Sequence, residues 1–95
     1  MLFSRKQKLS LVQAPEDRRF WEQDGKVLGN LKDLKNALEH IDPKTFAYHV
    51  NKGKNDFAKW VGDILKDAKL SKELLKVKTL PTYLKKVEMR LEDYL

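Results

Sequence analysis

The sequence predicts a mainly α fold: a compact bundle of about four to five short helices with a small N-terminal β-hairpin. Three observations predict it. Apolar residues recur at helical spacing from Leu31 onward. Asn, Asp and Pro stand where that spacing restarts. Short apolar runs flank the pair Asp24-Gly25, which suits a hairpin turn.

Residues 1–18 mix Ser, Gln and Pro15 with charge and hold no sustained period, so they read as a basic, flexible arm that packs in part through Leu9, Leu11 and Val12. Residues 19–95 then form one helical domain, and deleting residues 1–15 is expected to leave it intact. Phe20-Trp21-Glu22-Gln23 and Lys26-Val27-Leu28 make the hairpin, with positive φ expected at both Asp24 and Gly25. Two strands alone are marginal in water, so the ribbon has to lie on helices and bury Phe20 with Leu28 or Val27.

Asn30 caps a first helix whose inner face is Leu31, Leu34, Ala37, Leu38 and Ile41. Asp42-Pro43 ends it and opens a second, carrying Phe46, His49 and Val50. Asn51-Lys52-Gly53-Lys54 is a turn, with Gly53 able to take a positive φ. Asn55 or Asp56 caps a third helix with the broadest apolar face: Phe57, Trp60, Val61, Ile64 and Leu65. A short fourth helix follows Asp67, turning Leu70, Leu74 and Val77 inward. A fifth starts between Thr79 and Pro81 and carries Leu84, Val87, Leu91, Tyr94 and Leu95.

Ninety-five residues allow one core. With 41% hydrophobic and 36% charged residues, the chain has a wet surface around a real interior rather than the signature of disorder. The absence of cysteine excludes disulfides, a thiolate nucleophile and Cys-based zinc, and fits a cytoplasmic setting. No stretch is apolar enough for a signal peptide core or a membrane span.

The net charge of +6 is uneven: residues 1–19 carry +3, 20–43 carry −2, 44–69 carry +3 and 70–95 carry +2. Sixteen of the twenty cations are lysines, which suit solubility and point-charge contacts better than bidentate readout of phosphate or guanine.

Chemistry-bearing residues gather between His49 and Trp60. His49 stands near Tyr48, Asn51, Asn55 and Asp56, and a general base would need a nucleophile or water within reach and an orienting partner. The plainer expectation is that His49 bonds to the Asn55-Asp56 turn and fixes two helices. Ligand contact and catalysis follow in that order. His40, His49 and Asp42 match no metal-ligand spacing. Glycine-rich phosphate loops and nucleophile elbows are missing, so neither cofactor nor metal is expected. Phe57 and Trp60 follow the buried period of their helix. Trp21, next to Phe20 in a strand, should point outward.

Residues 20–74 resemble an uncharacterised family of small domains from archaeal and bacterial genomes. The resemblance rests on four pieces: Asp24-Gly25; Leu28-x-Asn30-Leu31-x-x-Leu34-x-x-Ala37-Leu38; Phe46-x-Tyr48-His49-Val50-Asn51-x-x-Lys54-Asn55-Asp56-Phe57-x-x-Trp60-Val61; and Asp67-x-x-Leu70. It implies a compact helical module, sometimes with a charged tail, and no known reaction. The family usually has Ala where this chain has Ser71, which bears only on local helix packing.

These features point to a non-enzymatic interaction module. Its partner is expected to be a protein, a second copy of the chain included, and its candidate contact residues are Trp21, Arg5, Lys6, Lys8, Arg18, Arg19, Lys85, Lys86 and Arg90. His49, Asn51, Lys54, Asn55, Asp56, Phe57 and Trp60 form its structural motif. The alternative is weak, sequence-independent binding of nucleic acid through the lysine-rich surface and the basic arm.

Overall fold

The computed structural model describes residues 9–94; Arg5, Lys6, Lys8 and Leu95 lie outside the described residues. A 3-10 turn at Glu16–Arg18 leads into β1 (Phe20–Trp21) and β2 (Val27–Leu28). Five helices follow: α1 (Leu31–His40), α2 (Pro43–His49), α3 (Asp56–Asp63), α4 (Ala68–Leu75) and α5 (Leu80–Leu91). The expected mainly α bundle with an N-terminal hairpin is the observed architecture.

Each helix starts where the sequence supplies a side-chain acceptor for the unpaired amides of a first turn. Asn30 Oδ1 accepts from Asp33 N–H at 2.8 Å, and Asp33 in turn accepts from Gly29 N–H at 2.8 Å, a reciprocal cap on α1. Asp42 accepts from Lys44 N–H ahead of Pro43, and Asp67 accepts from Leu70 N–H at 3.0 Å. Between Asn55 and Asp56, Asn55 is the cap of α3, accepting from Ala58 N–H at 3.2 Å. Asn55 also accepts the Tyr83 hydroxyl at 2.6 Å and donates to Leu74 O at 3.0 Å, so one amide ties the start of α3 to α4 and α5.

α3 packs on α4, α1 and α4 pack on α5, and β2 lies on α1. Leu34, Phe57, Val61, Leu70, Leu74, Tyr83 and Val87 are fully enclosed where these elements meet. Phe57 is the hub of the aromatic interior. Its ring stacks on Phe20 at 4.7 Å between centroids and contacts His49 at 5.1 Å and Tyr83 at 6.1 Å. Ser71 acquires a specific role: its hydroxyl donates to Ala58 O at 2.7 Å, stitching α4 to α3 beside Gly62. A Cβ at Gly62 would come within 2.8 Å of the Ser71 hydroxyl, so the close helix approach needs glycine there.

The structure corrects several expectations. The described part of the arm, residues 9–18, does not stand off from the domain. Leu9 bridges to Tyr94, Ala14 is buried and its N–H donates to Gly29 O at 2.7 Å, and Leu11 packs against the core. Removal of residues 1–15 therefore opens the interior over α1 and α5. This stretch is extended and contributes isolated apolar residues, which leave no period to detect.

The hairpin turn also differs. Gly25 alone takes a positive φ, +99°, and Asp24 does not. Gly25 N–H donates to Glu22 O, and Glu22 N–H donates to Lys26 O, giving a three-residue loop that ends in a glycine bulge rather than a two-residue turn. Gly53 does not use a positive φ either. Asn51 closes that turn instead, accepting from Gly53 N–H at 2.9 Å and donating to Ala47 O and Tyr48 O at the end of α2. The left-handed position falls on Lys66 (φ 63°), after α3, where Asp67 N–H reaches back to Val61 O.

Candidate functional site

β1 alternates as a strand must: Phe20 inward, Trp21 outward, and Glu22 inward just beyond it. Phe20 wedges among His49, Phe57 and Trp60, with ring centroids 5.1, 4.7 and 5.7 Å away. Its cross-strand partner Leu28 is buried against α1, whereas Trp21 pairs with Val27 on the outer face. Trp21 is 68% exposed, the most exposed large apolar side chain among the described residues, and Val27 is exposed beside it.

Two further bonds hold the ribbon. Trp60 Nε1–H donates to Arg18 O at 2.9 Å, fixing the chain just before β1. Gln23 N–H donates to His49 Nε2 at 2.9 Å, fixing the turn. Nε2 therefore carries the imidazole lone pair, and Nδ1 carries the proton that it donates to Asp56 Oδ2 at 3.0 Å.

This is the hydrogen-bond order of a histidine oriented by a carboxylate, but the nitrogen a catalyst would turn toward substrate is occupied by a backbone amide. His49 is buried, at the C-terminal end of α2, and Tyr48 covers its ring edge-on at 5.0 Å. Lys54 reaches Asp56 Oδ2 at 3.0 Å and lies 4.0 Å from the centre of the Tyr48 ring. Burial works to raise the Asp56 pKa, but the hydrogen bonds from His49 and Lys54 outweigh it and hold the carboxyl below its usual range. The pair fixes α2, α3 and the hairpin relative to one another.

Glu22 is the residue that sequence reasoning missed. It is only 2% exposed, neither carboxylate oxygen accepts from an N–H or O–H donor of the described residues, and the Asp24 carboxylate lies within reach to share a proton with it. Burial first, and then the nearby Asp24 carboxylate, raise its pKa to about 7 against the pull of Lys26. Asp24 stays ionised more readily than usual, because Lys26 N–H donates to its carboxylate at 3.2 Å. The alternation that sends Trp21 outward is the signal that could have placed Glu22 inward.

A second polar cluster joins α4 and α5. Asp67 is buried at the start of α4 and accepts from Arg90 Nε at 2.8 Å, Arg90 Nη2 at 3.1 Å and the Tyr94 hydroxyl at 2.6 Å. Burial opposes its ionisation, but these donors and Leu70 N–H bring its pKa below the usual value. Arg90 also donates to Asp93 at 3.0 Å. Arg90, expected as a surface contact, is therefore committed to the interior: an arginine fork anchors α5 to α4 through a capping aspartate.

The remaining candidates are dispersed. Arg18 is exposed, and Arg19 is half-buried with no partner for its Nε among the described residues. Lys85 is exposed and Lys86 half-buried, both on α5. The structure thus brings His49, Asn51, Lys54, Asn55, Asp56, Phe57 and Trp60 near one another, and leaves the described candidate cations divided, Arg18 and Arg19 before β1 and Lys85, Lys86 and Arg90 on α5. Among the described residues no three His, Asp or Glu side chains converge as metal ligands, and no helix is long and apolar enough to cross a membrane. Comparison of the chain with protein-family models, curated proteins and solved structures finds no match.

Proposed function

We propose that the protein is a non-enzymatic, cytoplasmic interaction module that meets a protein partner through the outer face of its hairpin. The observation that carries this reading is Trp21, 68% exposed on a ribbon that is otherwise clamped to the helices. An exposed indole on a rigid support is the residue type that anchors protein interfaces, because it buries a large area while losing little conformational freedom. Val27 extends the apolar patch across the strands. The use of both His49 nitrogens in internal bonds supports a non-catalytic role for the most chemistry-rich segment.

A photo-crosslinking residue at position 21, with a second at the exposed Lys59 as control, tests the reading in cells. The expected result is a discrete protein adduct from position 21 only. An adduct of twice the chain mass would identify self-association. Identical adduct patterns from both positions, or none from position 21, would contradict a hairpin contact surface.

A further inference from the structure

The net charge of the chain is not spread over the fold. Seven lysines and only two carboxylates, Asp67 and Glu73, fall between residues 66 and 86. One of the two, Asp67, is buried and committed to Arg90, so it does not offset charge at the surface. Four of the described lysines elsewhere have carboxylate partners, Lys26 with Asp24, Lys35 with Glu39, Lys54 with Asp56 and Lys59 with Asp63, while Lys32, Lys44 and Lys52 stand apart from one another in sequence. Among the described residues, the lysines from Lys66 to Lys86 have no such ion pair.

Helical geometry gathers them. With Leu70, Leu74 and Val77 inward, Lys69, Lys72 and Lys76 fall at intervals of three and four on the opposite, exposed face of α4. They span about 10 Å at 1.5 Å per residue. Lys66 extends the stripe at its N-terminal end, in the left-handed turn before α4, and Lys86 of α5 stands across a groove from Lys69.

We infer that this lysine stripe on α4, flanked by Lys66 and Lys86, binds the phosphate backbone of duplex nucleic acid without reading its sequence. A duplex presents about one negative charge per 1.7 Å of axis, so a row of unpaired ammonium groups meets several phosphates along its length. Lysines act there as point charges and supply no base-specific fork. The stripe carries no exposed ring on which unpaired bases could stack, since Tyr83 is buried and Tyr94 is held by Asp67. Nor does α4 offer a broad apolar face to a membrane, because Leu70 and Leu74 are spent in the core and the exposed apolar side chains near the lysines are the separate Leu75 and, on α5, Met89. This surface is separate from the hairpin, and the inference stands without the Trp21 reading.

Fluorescence anisotropy of a labelled duplex with the whole protein tests it across a salt series. The expected dissociation constant is on the order of 10⁻⁶–10⁻⁴ M near physiological salt, with log K falling linearly against log salt. Combining Lys69→Gln, Lys72→Gln and Lys76→Gln should weaken binding about tenfold or more and reduce the slope by about 2–3. Combining Lys32→Gln, Lys35→Gln and Lys44→Gln removes the same charge from other elements and should change the slope little. Thermal melts confirm that both variants fold. Equal losses in the two variants would reduce the effect to bulk charge. That outcome, an unchanged slope in the α4 variant, preference for phosphatidylserine vesicles over duplex, or no binding at low salt would overturn the inference.

Discussion

Replacing Trp60 with Ala is expected to destabilise the protein by about 3–5 kcal/mol, a large share of the roughly 5–15 kcal/mol that holds a domain together. Trp60 is buried on α3, packs edge-on to Phe20 and donates through Nε1 to Arg18 O. Truncation removes apolar burial, leaves a cavity beside Phe20 and strands a carbonyl at the entrance to β1. Trp60→Phe separates these parts: it keeps much of the ring but loses the bond, and should cost about 1–3 kcal/mol. Chemical denaturation at neutral pH reads both values. A loss below about 1 kcal/mol for Trp60→Ala would show that the hairpin is not seated on α3 as described.

Glu22 should behave in the opposite sense. Its pKa is about 7 in the folded protein against 4.5 for an unperturbed carboxyl, because burial and Asp24 disfavour the charge. Below about pH 4.5 both folded and unfolded chains hold the proton, and the residue adds no pH dependence. Between 4.5 and 7 the unfolded chain releases the proton while the folded chain keeps it, so stability falls as pH rises. Above 7 the folded chain carries a buried charge and the penalty levels off near 3 kcal/mol, at about 1.4 kcal/mol per unit.

Glu22→Gln and Glu22→Met should both remove this slope, gaining up to about 3 kcal/mol over the parent at pH 8 relative to their difference at pH 4. The parent-to-variant difference isolates Glu22 from Asp56 and Asp67, whose lowered pKa values withdraw stability only as pH falls through the acid range. Urea titrations at four pH values give the comparison, and a difference that does not vary with pH would refute a neutral, buried Glu22.

Much of the fold was legible because helices announce themselves through local chemistry. The inward sets Leu31, Leu34, Ala37 and Leu38, and Phe57, Trp60 and Val61, repeat at the helical period, Asn30 and Asn55 cap as expected, and helices start after Asp42 and Asp67 as expected. What escaped depends on contacts distant in sequence. Tyr83 is enclosed because its hydroxyl finds Asn55, 28 residues away, so a polar-tipped residue on α5 became core. Arg90 looked like surface charge because its partner Asp67 lies 23 residues earlier, on another helix. Residues 9–15 pack singly, without period. Glu22 was hidden by its type: a charged side chain in a short strand is read as exposed unless alternation with Phe20 and Trp21 is carried one residue further.

The candidate site was legible to a similar depth. His49 was expected to bond to the Asn55-Asp56 turn, and the contact it makes there is to Asp56, while the cap fell to Asn55. The contact from Gln23 could not be foreseen, because a backbone amide leaves no trace in the identity of its residue, and it is this contact that occupies the remaining imidazole nitrogen.

His49 bonds to both the hairpin turn and the start of α3 from the end of α2, and the proposed function leaves partner contact to Trp21. The most direct measurement is the nitrogen-15 spectrum of the His49 ring at neutral pH, with the coupling from the Gln23 amide. A clamp predicts an unprotonated Nε2 that accepts from a protected Gln23 amide, and a proton on Nδ1 shared with Asp56. A protonated Nε2 open to solvent, with a rapidly exchanging Gln23 amide, would contradict it and return His49 to the candidates for chemistry.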